Sequence, residues 1–380
     1  MLSDRIQLDG TIRSRAPEQT WQALAPELQP RYGISRVARL TGLDSLRLPV
    51  HTAIRPASQT LTVTQGTGAT DLLAQVSAVM EAIELWHTEQ PLSTHDFGSY
   101  REIAPAYPFS ALPLKADAPG LERVRLEWTT ATGLIRGTGT LVPSDMIRRT
   151  AQRDTWQPDI LRTTSTGLAA GNSPEEAALH GMFEVIERDA LHADDLSGGS
   201  HRTLIDPLTV EDPYCAGLIG RLAMAGAALE LVHVENAYAI PVCTAYLWSE
   251  DYPVWAAGGG CHTDPDIALS RAITEAAQSR LTRIAGTRDD LPADDLFSRP
   301  APSPLPAHSA TLTPWGQLTA DAPPWHGRFA DHARTVARRI EAVTGYEPLC
   351  VDLTQPDEQI SAVKVICPGA RSLTRRAIPR

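Results

Sequence analysis

Three segments of the sequence carry the same pair of acidic or amide side chains at the same distance from a residue that typically caps a helix. The three capping residues are Thr70, Ser173 and Asp264. Eleven and fourteen residues after these caps stand Glu81 and Glu84, Glu184 and Glu187, and Glu275 and Gln278, each pair in the form E-x-x-[E/Q]. Carboxylate and amide oxygens at such spacing can hold a divalent cation. The sequence therefore contains a threefold candidate for metal or metal–phosphate chemistry.

Helical geometry places small residues and acids of each segment on one face. At about 100° per residue, positions four, eight and eleven after the cap fall within about 60° of one another, and position fourteen lies about 60° from position eleven. The fourth and eighth positions are small in every copy: Ala74 and Ala78, Ala177 and Gly181, and Ala268 and Ala272. We therefore predict three helices that approach a neighbour closely while their acids project beside it.

Acids that converge on an otherwise apolar stretch repel each other unless cations neutralise them. Oxygen ligands without histidine suit Mg²⁺ or Ca²⁺, whereas a ferritin-like di-iron centre uses Glu-x-x-His pairs, which these helices lack. Mg²⁺ held by a few carboxylates usually comes with substrate phosphates, so the pattern predicts a nucleotide. Two alternatives stay open at this point: an ordinary solvated acidic face, and a carboxylate metalloenzyme that uses no nucleotide.

Glycine-rich segments precede all three helices, at residues 65–68, 166–172 and 258–260. Together with the helix N-termini they fit a phosphate cradle, although tight turns explain such glycines equally well. The sequence has no P-loop and no protein-kinase motif set, so a nucleotide site here would belong to a different fold.

Hydrophobic periodicity indicates the elements that must position these residues. It predicts helices over about 71–89, over 174–193 and after residue 264, with a further helix-like stretch at 326–343. Alternating patterns predict strands near 46–54, 60–64, 124–130, 134–142, 229–234, 240–248 and 364–367. Eight prolines within residues 291–325 predict an irregular surface loop inside the fold. The result is an α+β protein with mixed or antiparallel sheets.

Composition limits the classes of function. The 380 residues include 34 basic and 45 acidic side chains, a net charge of −11, which argues against nucleic acid as a partner. No apolar run approaches the roughly 18 residues of a membrane helix, and the N-terminus lacks a secretion signal, so we expect a cytoplasmic protein with no membrane partner. The five cysteines form no CxxC pair, which favours buried free thiols over disulfides or a zinc site.

Long ordered motifs in the chain resemble the YcaO family. The resemblance rests on residues 33–44, 48–50, 55–56, 65–68, 80–84, 172, 183–190, 275–282 and 284–290, and covers roughly residues 30–290 together with Pro368-Gly369. It implies a YcaO-like α+β fold forming a single domain over residues 1–380, with the proline-rich loop at 291–325 inside it. It also implies an ATP- and Mg²⁺-dependent enzyme that acts on backbone amides of ribosomally made, post-translationally modified peptides.

The resemblance also assigns site residues position by position. Metal would be supported by Glu81, Glu84, Glu184 and Glu187. The nucleotide site would be completed by Arg36, Asn172, Arg188, Glu275, Gln278 and Arg280.

Two departures from the family pattern narrow the expected product. Thr67 stands where many relatives have a lysine that contacts phosphate. Either this contact is missing here, or Arg36 supplies it. Residues 375–380 contain one proline in place of the proline-rich tail of azoline-forming members. The resemblance therefore favours an external sulfur donor and a backbone thioamide, ahead of azoline formation by cyclodehydration and of macrocyclic amidine formation.

The resemblance also implies partners. A precursor peptide is the expected substrate, and since no ThiF-like or leader-binding domain is evident, we expect a separate partner protein, of the TfuA type or a leader-binding type. A homodimer is left open. The competing hypothesis from another class is a non-catalytic YcaO-like docking protein, which the retained acids disfavour because a scaffold has no need of clustered carboxylates.

Overall fold

Helices and strands alternate along the chain in the computed structural model, which describes residues 5–116, 118–149, 158–288, 290–291, 311–325, 327–372 and 378–380. The helices of these residues are α1 Pro17–Leu24, α2 Asp71–Glu89, α3 Tyr100–Ile103, α4 Pro174–Leu196, α5 Pro213–Met224, α6 Pro265–Ala285, α7 Trp315–Leu318 and α8 Phe329–Thr344. The strands are β1 Ile6–Leu8, β2 Thr11–Arg13, β3 Arg36–Arg39, β4 Val50–Ile54, β5 Val63–Thr67, β6 Asp96–Ser99, β7 Arg125–Gly133, β8 Gly139–Pro143, β9 Leu168–Gly171, β10 Arg202–Asp206, β11 Ala228–Val234, β12 Val242–Ser249, β13 Tyr252–Cys261, β14 Thr313–Pro314, β15 Leu349–Asp352 and β16 Ser361–Ile366.

The described strands form four sheets. A hairpin joins β1 to β2, and a three-stranded sheet has the order β3-β4-β5. A five-stranded sheet has the order β13-β12-β11-β10-β14, and a six-stranded sheet has the order β6-β7-β15-β16-β9 with β8 added beside β7. All pairings are antiparallel except β10 with β14. The predicted α+β class with mixed or antiparallel sheets is confirmed.

The three helices predicted to carry the acids begin where their capping residues place them. The Thr70 hydroxyl accepts a hydrogen bond from the backbone N–H of Leu73, and the Ser173 hydroxyl accepts one from that of Glu176, both at 3.2 Å. The Asp264 carboxylate accepts one from Asp266 at 3.0 Å. Each cap satisfies a backbone donor that the first helical turn leaves free, so the local sequence fixes where α2, α4 and α6 start.

The predicted small-residue faces of these helices are buried, and they lie against glycines of the preceding strands. A Cβ atom added to Gly66 of β5 would lie 2.0 Å from the backbone nitrogen of Ala78 in α2. One added to Gly258 of β13 would lie 2.2 Å from that of Ala276, and one added to Gly171 of β9 would lie 2.6 Å from that of Ala177. The interpretation of the glycine-rich segments as phosphate-cradling loops or tight turns is therefore wrong for these three glycines. They are strand residues that allow a helix to pack directly on the strand backbone.

Each of these strand–helix units sits at the edge of a different sheet. β5, β9 and β13 are the terminal strands of the three-, six- and five-stranded sheets, and each is followed by its helix α2, α4 or α6. The acid-bearing helices thus come together where three sheet edges converge.

Two regions differ from the sequence prediction or extend it. Residues 292–310 of the proline-rich stretch lie outside the described residues, whereas β14 and α7 form in its remainder, where Trp315 is buried and its indole N–H donates to Asp266 at 2.8 Å. That part of the stretch is therefore anchored to the fold. Helix α5 and the N-terminal elements β1, β2 and α1 were not predicted.

Two expectations drawn from composition can be compared with the described residues. Cys215, Cys243, Cys261 and Cys367 are free and buried, as predicted, and Cys350 is half-buried and also free. Among the described helices, none has both the length and the apolar character needed to cross a membrane.

Candidate active site

The middle parts of α2, α4 and α6 line one cavity of about 350 Å³, a volume within the range of about 300–1,000 Å³ that is typical of small-molecule sites. All six members of the repeated pairs line it: Glu81, Glu84, Glu184, Glu187, Glu275 and Gln278. Residues brought together here are separated by almost two hundred positions in sequence. The convergence predicted from the helical register is thus present in the fold, and the cavity that results is from here on called the main cavity.

One oxygen of each of four carboxylates is fixed by a backbone N–H of a neighbouring segment. Glu81 accepts from Gln65 at 3.1 Å, Glu275 accepts from Gly259 at 3.2 Å, and Glu184 accepts from Gly167 at 3.0 Å. In the first two cases the donor stands sixteen residues before the acid, so the strand–helix repeat extends to the hydrogen bond itself.

The remaining contact of this kind crosses between units, because Glu84 of α2 accepts from Ala170 of β9 at 2.8 Å. The second oxygen of Glu81, Glu84 and Glu275 accepts no hydrogen bond from any residue that the structure describes. Carboxylates held by one oxygen, with the other directed to a cavity, have the donor geometry of cation supports.

The charge of these acids is only partly compensated within the protein. Burial raises the pKa of Glu81 to about 7, against the attraction of Arg288. Burial, reinforced by the neighbouring acids, also raises the pKa of Glu84 and Glu187, and burial raises that of Glu275. Each shift means that the ionised form is disfavoured without an added cation, which is the electrostatic state expected of a metal-supporting site before the metal binds.

Four arginines also line the main cavity: Arg13, Arg15, Arg188 and Arg271. The Arg188 guanidinium lies 3.6 Å from the Glu187 carboxylate and 4.0 Å from that of Glu184, so it partly neutralises the second acid pair. Burial, together with repulsion from Arg13, lowers the pKa of Arg271 to about 10, a value at which it still carries its charge at neutral pH. Acids and arginines in one cavity suit a ligand that carries both metal ions and phosphates.

Asn172 directly precedes the capping residue of α4. It belongs to a hydrogen-bond network that includes residues not identified from the sequence. Its amide nitrogen donates to Glu176 at 3.2 Å, and its amide oxygen accepts from the Thr20 hydroxyl at 2.7 Å. Glu176 also pairs with Arg13 at 3.3 Å. The N-terminal hairpin thus contributes Arg13 to the main cavity, and no local motif marks that arginine, because its role arises only from tertiary packing.

The structure places two of the predicted nucleotide residues away from the main cavity. Arg36 is exposed on β3 and does not line it. Arg280 is buried and paired with Asp44 at 3.0 Å and with Asp251 at 3.0 Å, and it donates to the Ser249 hydroxyl at 2.7 Å. Thr67, at the position where relatives carry lysine, does line the cavity, and its hydroxyl donates to the carbonyl of Pro49.

The donor set fits Mg²⁺ that is shared with phosphate better than a metal centre made of protein alone. Among the residues that the structure describes, no group of three or more His, Cys, Asp or Glu side chains is close enough to hold a metal ion. Mg²⁺ bound here would therefore take further oxygen ligands from phosphate or water. A polar group is also available for a ligand, since the side-chain nitrogen of Gln65, which lines the cavity, is buried and has no hydrogen-bond partner among the residues that the structure describes.

Two further cavities lie near the acids, and one of them is lined by three of these acids. A cavity of about 290 Å³ shares Glu81, Glu84 and Glu184 with the main cavity. It shares Arg149 with a larger groove of about 990 Å³. The three acids thus separate the main cavity from a second approach to the same site.

Comparison with known proteins places the chain in a family. Residues 65–371 match the family model described as YcaO cyclodehydratase, ATP- and Mg²⁺-binding. The chain is 36% identical over 371 residues to an uncharacterized protein of Mycobacterium tuberculosis, covering 95% of this chain and 82% of that one. It is 33% identical over 387 residues to an uncharacterized protein in the tfuA 3′ region of Rhizobium leguminosarum bv. trifolii, covering 94% and 88%.

Solved structures share the fold. YcaO from Methanopyrus kandleri bound with AMPPCP and Mg²⁺ superposes with a TM-score of 0.72 at 20% identity, covering 99% of each chain. A heterocyclase in complex with substrate and cofactor gives a TM-score of 0.73 at 22% identity, covering 95% of this chain, which spans 53% of that heterocyclase.

The chain belongs to the YcaO family of ATP-utilising, peptide-modifying enzymes. The predicted family, fold and enzyme class are confirmed, and so are ATP and Mg²⁺ as the cofactors.

Proposed function

We propose that this protein activates a backbone amide of a ribosomally made peptide by ATP-dependent phosphorylation of the amide oxygen, and that a sulfur donor then converts the amide to a thioamide. One observation supports the activation step. Three carboxylates, each held by a backbone N–H, line both the main cavity and the 290 Å³ cavity. One cavity is suited to the nucleotide, and the other allows a peptide amide to approach the same acids.

The residues of the main cavity would have two roles, metal binding and nucleotide binding. Glu81, Glu84, Glu184 and Glu187 would hold Mg²⁺, while Asn172, Arg188, Glu275 and Gln278 would complete the nucleotide site, with Arg13 and Arg271 added from the structure. When bound, ATP and Mg²⁺ supply a transferable phosphoryl group with its charge neutralised. Arg36 and Arg280 are not included, since neither lines the cavity.

The overall reaction balances without a redox partner. The amide carbon gains sulfur from hydrosulfide or a carrier that delivers it, and the C–O bond breaks with its oxygen leaving in inorganic phosphate. ATP becomes ADP, so the oxygen departs as phosphate, a far better leaving group than hydroxide. The chain's contribution is to orient the amide and the phosphoryl group and to exclude water from the layer of acids.

The gene context of one relative supports the thioamide product. The Rhizobium leguminosarum relative is named for its position in the 3′ region of tfuA, which agrees with a TfuA-like partner for this chain. The family description as cyclodehydratase supports the second candidate, azoline formation, and amidine closure is a third. A precursor peptide as substrate, a TfuA-like or leader-binding partner and a homodimer are parts of this proposal.

Mass spectrometry distinguishes the products. A candidate precursor incubated with the protein, its partner, ATP and sulfide should become about 16 Da heavier, because sulfur replaces oxygen. A loss of about 18 Da would instead support cyclodehydration or amidine closure and contradict thioamide formation. Reactions without ATP are the control and should leave the mass unchanged.

Calorimetry with Mg²⁺ and AMPPCP tests the site itself. The double variant Glu81→Gln/Glu184→Gln should lose most of the affinity, because two of the cation-supporting charges are removed. The matched control is Glu18→Gln/Glu175→Gln, which removes two exposed acids outside the main cavity and should bind as the native protein does. Unchanged binding in the first variant would contradict the carboxylate site.

A further inference from the structure

The groove of about 990 Å³ that adjoins the acids has a charge opposite to that of the molecule as a whole. It lies between residues 110–116, residues 159–166 and the segment that follows β16. We call it the basic groove; its basic side chains are Lys115, Arg148, Arg149, Arg162, Lys364 and Arg371, and among the lining residues that the structure describes Asp159 is the one acid. In a chain with a net charge of −11, this concentration of cations needs an explanation.

Internal ion pairs account for only part of this charge. Lys115 pairs with Asp159, and Arg148 pairs with Glu127. Burial lowers the pKa of Lys364 to about 7, so the remaining permanent charges of the groove are those of arginines.

The guanidinium groups of two exposed arginines of the basic groove donate to main-chain carbonyls and not to carboxylates of the described residues. Arg162 donates to the carbonyl of Leu114 at 3.3 Å, and Arg371 donates to that of Ser110 at 3.1 Å. Neither forms an ion pair with any residue that the structure describes. A carbonyl orients a guanidinium but leaves its charge uncompensated, so each arginine retains donors for an anionic ligand.

The basic groove leads to the acids at the centre of the molecule. Arg149 lines both the groove and the 290 Å³ cavity, whose inner wall is Glu81, Glu84 and Glu184. Thr166, in the groove wall, directly precedes Gly167, whose N–H holds the Glu184 carboxylate. A chain lying in the groove can therefore reach three of the acids through the 290 Å³ cavity.

We propose that the basic groove binds an acidic stretch of the substrate peptide, whose carboxylates pair with Arg162 and Arg371 while a neighbouring amide extends toward the acids. This inference rests on the proposed function and adds a sequence requirement for the substrate: acidic residues close to the modified amide. A peptide fits better than a nucleotide, because the groove is nearly three times the volume of the main cavity. Charge pairing of this type sets specificity and is weakened by salt.

Fluorescence anisotropy of the full-length protein tests the inference without any turnover. The probe is a fluorescein-labelled peptide of alternating glutamate and glycine, and the control probe has glutamine in place of glutamate. We expect the acidic probe to bind and to weaken with added salt, and the glutamine probe to bind at least about tenfold more weakly. Equal binding of the two probes would overturn the proposal.

A matched pair of variants locates the binding. Arg162→Gln/Arg371→Gln should weaken binding of the acidic probe by about tenfold. Arg328→Gln/Arg334→Gln removes two exposed arginines outside the groove and should have no effect. Undiminished binding in the first variant, or displacement of the probe by Mg²⁺ and AMPPCP, would overturn the groove assignment.

The two proposals fail in different ways. Binding of the acidic probe that depends on the groove arginines, combined with no modification of any acidic peptide, would contradict the proposed function and leave the groove inference intact. Loss of probe binding with intact Mg²⁺ and AMPPCP binding would contradict only the groove inference.

Discussion

At the scale of single residues, the site combines fixed geometry with uncompensated charge. A main-chain N–H donates to one carboxylate oxygen of each of Glu81, Glu184 and Glu275. This contact orients the carboxylate without adding a second charged group to the site. Glu81 and Glu275 form no salt bridge with any described residue that a bound cation would have to break, whereas Glu184 also lies 4.0 Å from Arg188. When no cation is bound, repulsion between these acids destabilises the protein.

Removing one of these charges should stabilise the protein. Glu81→Gln keeps an oxygen to accept from Gln65 but removes a buried charge, so at pH 8 the free energy of unfolding should rise by about 1 kcal/mol in urea denaturation. The control is Glu89→Gln, because Glu89 is buried in an ion pair with Arg55 at 2.6 Å. That change should lower the free energy of unfolding by about 3 kcal/mol. Destabilisation by Glu81→Gln would show that its charge is already compensated.

Nucleotide binding should strengthen with pH. The pKa of Glu81 is raised from 4.5 to about 7, so between about pH 4.5 and 7 the unfolded chain ionises this carboxyl while the folded protein without metal keeps it protonated, and the contribution of this group to stability falls as the pH rises. Bound Mg²⁺ requires the ionised form and offsets that loss. Addition of Mg²⁺ and AMPPCP should therefore raise Tm more at pH 8 than at pH 6. In Glu81→Gln the difference between the two pH values should shrink.

Arg280 should prove to be a stabilising residue and not a nucleotide ligand. Arg280→Ala leaves Asp44 buried without its partner, so the free energy of unfolding should fall by about 3–5 kcal/mol. At a temperature where the variant is folded, its affinity for Mg²⁺ and AMPPCP should match that of the native protein. Arg188→Ala should instead lower that affinity by at least about tenfold, since Arg188 lines the main cavity. Equal losses of affinity in both variants would show that Arg280 contributes to nucleotide binding.

At the scale of elements, the repeated unit is a strand and a helix in backbone contact. The α2, α4 and α6 starts and the faces that carry acids could be predicted, because caps and helical periodicity are local properties of sequence. The roles of Gly66 and Gly258 could not, since a glycine in a strand and one in a turn look alike until the opposing helix is known. The ion pair of Arg280 could not be predicted for the same reason: its partner Asp44 is 236 positions away.

The close contact between strand and helix can be tested by adding one methyl group. Gly66→Ala would bring a Cβ within 2.0 Å of the α2 backbone and should lower the free energy of unfolding by about 3 kcal/mol. Gly217→Ala is the control, because that glycine is exposed in α5 with no atom within 4 Å of an added Cβ, and helix propensity should make it more stable by about 1 kcal/mol. Should both variants unfold alike, the packing contact would not be the cause.

At the scale of the whole molecule, three sheets present their edges to one centre. A strand edge in solvent is a template for pairing with another chain, and here β5, β9 and β13 are each followed by a helix that packs against them. Three of the acids on those helices line both the main cavity and the 290 Å³ cavity, which adjoins the basic groove at Arg149. The proposed function thus assigns the nucleotide to one of these cavities and the peptide to the other.

The wide spacing of the three units along the chain also has a consequence during biosynthesis. The carboxylates come from residues 81 to 275, so a ribosome must translate past the third unit before the full set can exist. A nascent or truncated chain that ends earlier holds at most two of the three acid-bearing helices. Such a chain therefore lacks part of the set of carboxylates that lines the main cavity.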